Sequence, residues 1–225
     1  MRTTRVTAHS TAVTHTADCA IFGYAEGTLR VLLVRRAVAP FNGAWVLPGG
    51  AMEADETLED TAANLLRDLV NVVDVPVRQV ATYSDLDRHP VRRVVTTSFF
   101  ALVRPEDHHP EARRYLAEVR WCPLGDLPEL GFDHGRLLAD AYAALRAGLL
   151  REQPLAFYLL PSSFTLKEAQ EVYEAVLGQE LDRRNFRRKI LTYDFLVHTD
   201  QVKLGVRGGP NLYRIDGKLL DEHVQ

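Results

Sequence analysis

The chain has 225 residues, 46% apolar and 25% charged, with a formal net charge of −3, which suits one large or two modest globular domains with real cores. Two cysteines, Cys19 and Cys122, are too few for a disulfide framework and point to a reducing, cytoplasmic setting. No apolar run approaches the roughly 18 residues that span a bilayer, so a membrane protein, a disulfide-stapled secreted protein and a disordered chain are all excluded.

The first twenty residues are Thr-rich, lack the apolar core of a signal peptide and are expected to form a frayed arm. Strands are expected at Ala20–Phe22 and Leu29–Arg35 around the turn Ala25-Glu26-Gly27, followed by a Gly/Pro-punctuated loop from Gly43 to Gly50. From Asp55 to Val70 the apolar residues Leu58, Ala62, Leu65, Leu66, Leu69 and Val70 recur at helical spacing. Val77–Tyr83 and Val94–Val103 read as strands. The second is nearly all β-branched and aromatic and is expected at the centre of its sheet. A short strand at Val119–Pro123 and an amphipathic helix from His134 to Leu149 complete a mixed sheet with two helices.

Residues 151–163, with Pro154 and Pro161, read as a linker between a first domain (1–150) and a second (164–225). The second opens on a capping box, Thr165 with Glu168 three residues on. Its helix buries Leu166, Ala169, Val172, Tyr173 and Val176 and ends at Gly178. Asp182 can cap a second helix, RRNFRRKILTYDFL, with Phe186, Ile190 and Leu191 facing inward. Two short strands, Leu196–His198 and Leu212–Ile215, flank the glycine-rich VKLGVRGGP. Helix, turn, basic helix and hairpin is the order of a winged helix-turn-helix.

The charge is unevenly placed. Residues 1–150 hold 16 basic and 19 acidic side chains, whereas residues 183–214 hold eight basic ones against two acids, a net of +6. A basic segment in an acidic chain points to a local polyanion site. Arg183, Arg184, Asn185, Arg187, Arg188 and Lys189 are the candidates for reading double-stranded DNA from the helix, with Arg207 in the wing reaching a minor groove.

At Gly50 the sequence resembles a Nudix box, G-x5-E-x7-R-E-U-x-E-E-x-G-U. Gly50 and Glu56 hold the first two fixed positions, and Leu66 and Val72 keep the aliphatic ones. The rest differs: Asn64 and Leu65 stand at Arg-Glu, Asp68 and Leu69 at Glu-Glu, and Asn71 at Gly. In that family the helix glutamates converge to hold a divalent metal that activates water. Hard Mg²⁺ takes oxygen ligands, and one aspartate between two leucines is a poor site. No metal, no cofactor and no catalysis are therefore expected. WVLPGG before the box, YSDLDRHPVRR after it and WCPLGDLPELGFDHGRLLADAYAALR further on are similar to ADP-ribose-pyrophosphatase-like members over roughly residues 15–150.

Together with LLPSSFTLKEAQEVYEAVLGQELDRRNFRRKIL and GGPNLYRI, this arrangement resembles the Nudix-related transcriptional regulators, the NrtR family. The resemblance implies an α+β chain: a Nudix-like mixed-sheet α/β/α sandwich followed by a winged helix-turn-helix. It also implies a homodimeric repressor on operator DNA, with a small-molecule effector, ADP-ribose or a related nucleotide or else a sugar, sensed in the Nudix domain, and target genes of NAD metabolism or sugar use. Candidates for the effector site are Arg35, Arg36, Phe41, Trp45, Asp87, Arg88 and Arg93. Arginines suit phosphate or ribose contacts and aromatics can stack an adenine. Arg35 and Arg36 are neighbours at a strand end, so only one should face the site. DRHPVRR departs from the usual Asp-Arg-Asp-Pro-Arg-Gly-Arg at His89, Val91 and Arg92. Two other readings, a working pyrophosphatase and a protein-binding module, would be distinguished by turnover and by the absence of salt-sensitive DNA affinity.

Overall fold

The computed structural model describes residues 13–151, 154–205 and 209–218. Arg207 and the first twelve residues, named above as wing and arm, lie outside the described residues. The first unit runs β1 (Thr14–Ala25), β2 (Thr28–Arg36), β3 (Trp45–Val46), β4 (Gly49–Ala51), α1 (Leu58–Val70), β5 (Val77–Tyr83), β6 (Val94–Val103), β7 (Leu116–Pro123) and α2 (His134–Leu150). Its seven strands form one mixed sheet in the order β3-β2-β1-β6-β5, with β4 also on β1 and β7 also on β2. β1 and β6 pair in parallel from Thr14 with Val94 to Gly23 with Val103, and the other pairs are antiparallel.

The sheet is buried on both faces, which is why its central strands read as continuous apolar runs. Side chains alternate with the strand period. Ala17, Cys19, Ile21, Phe99, Ala101 and Val103 pack with Ala62, Leu65, Leu66 and Leu69 of α1. Ala20, Phe22, Phe100 and Leu102 face the other way, onto Leu137, Leu138, Ala141 and Leu145 of α2. The result is the expected α/β/α sandwich, with β6 between β1 and β5.

Three local expectations change. β1 begins at Thr14, inside the twenty residues expected as a frayed arm and six before the expected Ala20, because the mostly polar Thr14–Asp18 gains a full ladder with β6. The expected loop before Gly50 contributes two short strands. α1 starts at Leu58 rather than Asp55, because Thr57 is the N-cap in a reciprocal capping box with Asp60. Asn71 closes α1 at φ 57°, a left-handed conformation that asparagine tolerates where the box pattern has glycine.

The second unit runs α3 (Leu166–Leu177), α4 (Arg183–Ile190), β8 (Leu196–Val202) and β9 (Asn211–Ile215). The Thr165–Glu168 capping box and a left-handed Gly178 bound α3. The residues 155–160 expected in a linker are core instead: Leu155, Ala156, Phe157 and Leu159 are buried in a short 3₁₀ turn. The reason is Phe157, whose ring meets Phe164, Tyr173, Tyr193 and Phe195. α4 is shorter than expected and ends at Ile190. Its buried stripe is Phe186 and Ile190, four residues apart. Leu191, about 100° further round, is half-exposed rather than inward. Both units share one apolar cluster running from Phe22 and Leu145 to Phe186 and Tyr213.

Candidate functional site

Two sites emerge, a cavity in the first unit and a cationic helix in the second. The cavity, about 610 Å³, opens between the strand segment Val46–Ala51 and residues Arg88–Arg92, with Tyr115, Phe132 and His134 completing its walls. Its floor is a buried polar network. Asp18 lies on the α2 side of β1, in the alternation that also places Ala20 and Phe22 there. Thr96 Oγ1 donates to Asp18 Oδ2 at 2.7 Å. Arg88, itself buried, grips Asp133 through Nε at 3.0 Å and Nη2 at 2.9 Å and lies 3.7 Å from Asp18. His134 Nδ1 accepts the Leu47 amide at 3.0 Å, and its Nε2 is 3.7 Å from Asp18 Oδ1. Burial holds the His134 pKa below its ordinary value, so its neutral form fits that acceptor role. A buried charge needs such partners.

The walls are cationic and aromatic. Arg36, Arg88 and Arg92 line the cavity and outnumber the two carboxylates beside them, Asp18 and the Arg88 partner Asp133, so the cavity suits an anion. Phe132 stacks between His89 and His134 at 5.5 and 5.3 Å. The Arg36 guanidinium sits over the Phe132 ring at 5.3 Å, a cation–π arrangement, while its Nε donates to the Pro40 carbonyl. Phe41, at φ 60°, braces Phe132 at 4.4 Å.

Of the effector candidates, Arg36 and Arg88 line this cavity and Phe41 supports its wall. Arg35, next along β2, turns outward and donates to the Gly43 carbonyl. Trp45 is a packing residue under the Arg120 guanidinium, 4.4 Å from its ring centroid. Asp87 is exposed. Arg93 holds the Asp85 carbonyl at 2.9 Å and leaves the cavity to its neighbour Arg92. Asp18, His89, Arg92, Tyr115, Phe132 and His134 were not among the candidates. Of these, only Asp18 carries a legible signal, the single acid of β1, at the edge of its apolar run.

The metal positions of the box are filled otherwise. Leu65 and Leu69 are core residues of α1, and a Cβ on Gly50 would lie 2.7 Å from a Leu65 methyl. Asp68 is held by Arg67 at 2.9 Å and Arg114 at 2.5 Å. Glu56 accepts from Asn64 at 2.6 Å and Thr61 at 3.1 Å. Among the described residues no group of three or more His, Cys, Asp or Glu is placed to hold a metal ion.

In the second unit, Asp182 Oδ1 caps α4 through the Asn185 amide at 2.8 Å. Arg183, Arg184, Asn185, Arg187, Arg188 and Lys189 are all exposed. Arg183 and Arg187, one turn apart, line a groove with Lys167, Lys203 and Asn211. Arg188 donates to Asn185 Oδ1 at 3.0 Å, so those two side chains act as a pair. The strand pair β8–β9 is extended by Phe164, which exchanges backbone hydrogen bonds with Tyr213 at 2.9 and 2.8 Å. Helix, turn, basic helix and a strand pair on one core make a winged helix with its second helix free to enter a major groove. Among the described residues no helix is long and apolar enough to cross a membrane.

Fold and sites together define a Nudix-type sandwich joined to a winged-helix unit. Residues 14–141 match the NUDIX domain family, and residues 156–215 match the NrtR DNA-binding winged helix domain. The chain is 32% identical over 203 residues to the ADPR responsive transcriptional repressor NtrR of Acinetobacter baylyi, covering 88% of this chain and 80% of that one. It superposes on Shewanella oneidensis NrtR, solved in complex with a 27mer DNA, with a TM-score of 0.77 and 31% identity over 92% of this chain and 95% of that one. The Nudix domain of the same protein, solved with ADP ribose, matches with a TM-score of 0.55 and 34% identity over 60% and 89%. The first unit is also 29% identical over 121 residues to an ADP-ribose pyrophosphatase of Methanocaldococcus jannaschii, covering 54% of this chain and 70% of that one. The chain belongs to the NrtR family of Nudix-related transcriptional regulators.

Proposed function

We propose that this protein is a transcriptional repressor that binds operator DNA as a homodimer in the cytoplasm and responds to ADP-ribose or a closely related nucleotide without hydrolysing it. The observation that carries this reading is the pairing of an arginine-lined cavity with an α1 in which two of the three metal positions are hydrocarbon, Leu65 and Leu69, and the third, Asp68, is held by Arg67 and Arg114. A sensor must hold its signal without destroying it. Arg36, Arg88 and Arg92 neutralise the diphosphate that a metal would otherwise meet, and the Phe132 and Tyr115 rings wall the same cavity. The relatives support the choice of ligand: the Acinetobacter protein is named for its response to ADPR, and the Shewanella Nudix domain was solved with ADP ribose.

On the DNA side, α4 lies in the major groove. Arg184 and the Asn185–Arg188 pair reach base edges, and Arg183, Arg187 and Lys203 meet phosphates. One winged helix contacts few phosphates, so two copies on half-sites about one helical turn apart supply affinity and palindromic readout. Genes of NAD metabolism are the targets that fit such an effector, with residues 1–150 sensing and residues 164–225 reading DNA. Footprinting on upstream regions of the source genome tests this directly. We expect protection of a two-fold symmetric site that is lost in Arg184→Ala/Arg187→Ala. No protection on any region, or equal protection by that variant, contradicts the reading.

A further inference from the structure

α2 meets the cavity at its N-terminal end and, further along, α3, the helix that packs on α4. At its N-terminus, Asp133 occupies the N-cap position but makes no side-chain capping hydrogen bond. Its carboxylate is spent on Arg88, a cavity-lining guanidinium. An anion entering the cavity therefore competes with Asp133 for Arg88. When that grip weakens, the Asp133 carboxylate is released to swing toward the first turn of α2, whose His134 and Arg136 amides donate to the Gly131 and Asp133 carbonyls. Two turns on, roughly 12 Å along the axis at 1.5 Å per residue, Tyr142 Oη donates to the Val176 carbonyl at 2.9 Å.

Val176 lies in the last turn of α3, where helix carbonyls have no partner within their own helix. The turn that follows is pinned to α3 by side chains. Glu174 accepts the Leu181 amide at 2.8 Å, and Gln170 donates to the Leu181 carbonyl at 2.9 Å. Asp182 then starts α4. A shift of the α3 C-terminus is thereby passed to α4 as a unit.

We propose that α2 relays occupancy of the cavity to the DNA-reading helix, with Asp133 as its input and the Tyr142–Val176 hydrogen bond as its output. Tyr142 is thus a positioning residue for α4. This inference rests on the ligand-responsive reading above. It requires that the two states differ in the contacts α2 makes, since a ligand shifts an equilibrium only by its differential affinity.

The test uses the full chain, a labelled operator duplex and ADP-ribose. In the wild type, ADP-ribose is expected to change the DNA Kd by at least about fivefold, the lower end of ordinary allosteric factors. In Tyr142→Phe, which keeps the ring against Phe22 and Arg146, the factor should fall to within about twofold of unity. By reciprocity, DNA should lose its effect on ADP-ribose affinity to the same extent. The ratio is read within each variant, so a change in basal DNA affinity does not enter it. An undiminished factor in Tyr142→Phe overturns the relay.

A second arm needs no effector. Asp133→Asn should alter the DNA Kd in the wild-type background and not in Tyr142→Phe, a double-mutant cycle with a large interaction. The same factor in both backgrounds, or no change in either, overturns the relay. If the wild type ignores ADP-ribose altogether, the effector assignment falls, and this cycle decides the relay by itself.

Discussion

The carboxylate of Asp18 lies directly against Gly49: a Cβ added to that glycine would sit 1.9 Å from Asp18 Oδ1 and 2.8 Å from the Ala17 carbonyl oxygen. The glycine pair that precedes α1 therefore has a packing reason on each side, Asp18 behind Gly49 and Leu65 behind Gly50. The first contact holds the cavity floor.

Gly49→Ala forces either the backbone or Asp18 to move. Overpacking of this kind costs about 1–3 kcal/mol, and a chain of this length loses about 2–4 °C of melting midpoint per kcal/mol. Thermal unfolding should show that loss, and ADP-ribose should no longer raise the midpoint of the variant. A variant with wild-type stability and ligand response would mean that Asp18 is not fixed by this contact.

Stability should fall on acidification below the ordinary histidine range. His134 is buried with its pKa lowered, by burial first, with Arg88 and Arg36 adding to it against the opposing pull of Asp18 and Asp133. The unfolded chain takes up a proton at pH values where the native one does not. The His134 contribution is therefore complete above the unfolded pKa of about 6.5 and is lost as pH falls towards the folded pKa. His89, lowered mainly by its partial burial, acts in the same direction. Denaturant unfolding at a series of pH values should give a slope that flattens in His134→Asn, whose amide oxygen can still accept the Leu47 amide. An identical slope in that variant would remove His134 as its source.

Asp68 is the one carboxylate left at the metal-binding positions of α1, and it is engaged by two surface arginines. With Mg²⁺ or Mn²⁺ present, ADP-ribose should remain intact on chromatography. Asp68→Ala should leave DNA and ligand responses in place and cost at most about 1 kcal/mol, the range of exposed ion pairs. Turnover that disappears in Asp68→Ala would make the protein an enzyme.

Much of this was legible in the sequence where one local rule decided the outcome. Thr165 and Glu168 spell a capping box, Gly178 a left-handed C-cap, and VVTTSFFALV a strand covered on both faces. The five cations of RRNFRRKI could be assigned to a surface because Phe186 and Ile190 already fix the buried stripe. What was not legible depends on contacts between distant segments. Nothing local marks Phe157 as the centre of the second core. Arg92 and Arg93 differ only in which way the chain turns before β6, and Phe132 and His134 enter the cavity only because α2 crosses behind Asp18. Trp45 and Arg120 meet across β2, which carries β3 on one edge and β7 on the other, a pairing no spacing rule supplies.

The basic helix should report itself through salt. Each phosphate-contacting cation contributes about one unit to the slope of log affinity against log salt, and in a symmetric dimer each substitution counts twice. Arg187→Ala, in the groove shared with Lys203, should lower the slope by about two on all duplexes alike. Arg184→Ala should chiefly narrow the gap between operator and random DNA, by about 1–3 kcal/mol per base pair read. Unchanged affinity, slope and discrimination in both variants would exclude α4 as the reading element.

The most direct measurement for the account as a whole is the anisotropy of a labelled operator duplex titrated with the full-length protein, with and without ADP-ribose and with no divalent metal. Binding at low salt, with a Kd that shifts at least about fivefold when ADP-ribose is added while the nucleotide is recovered intact, is the predicted result. Tight, salt-sensitive binding that ADP-ribose and related nucleotides leave unmoved, or consumption of the nucleotide during the titration, would contradict it.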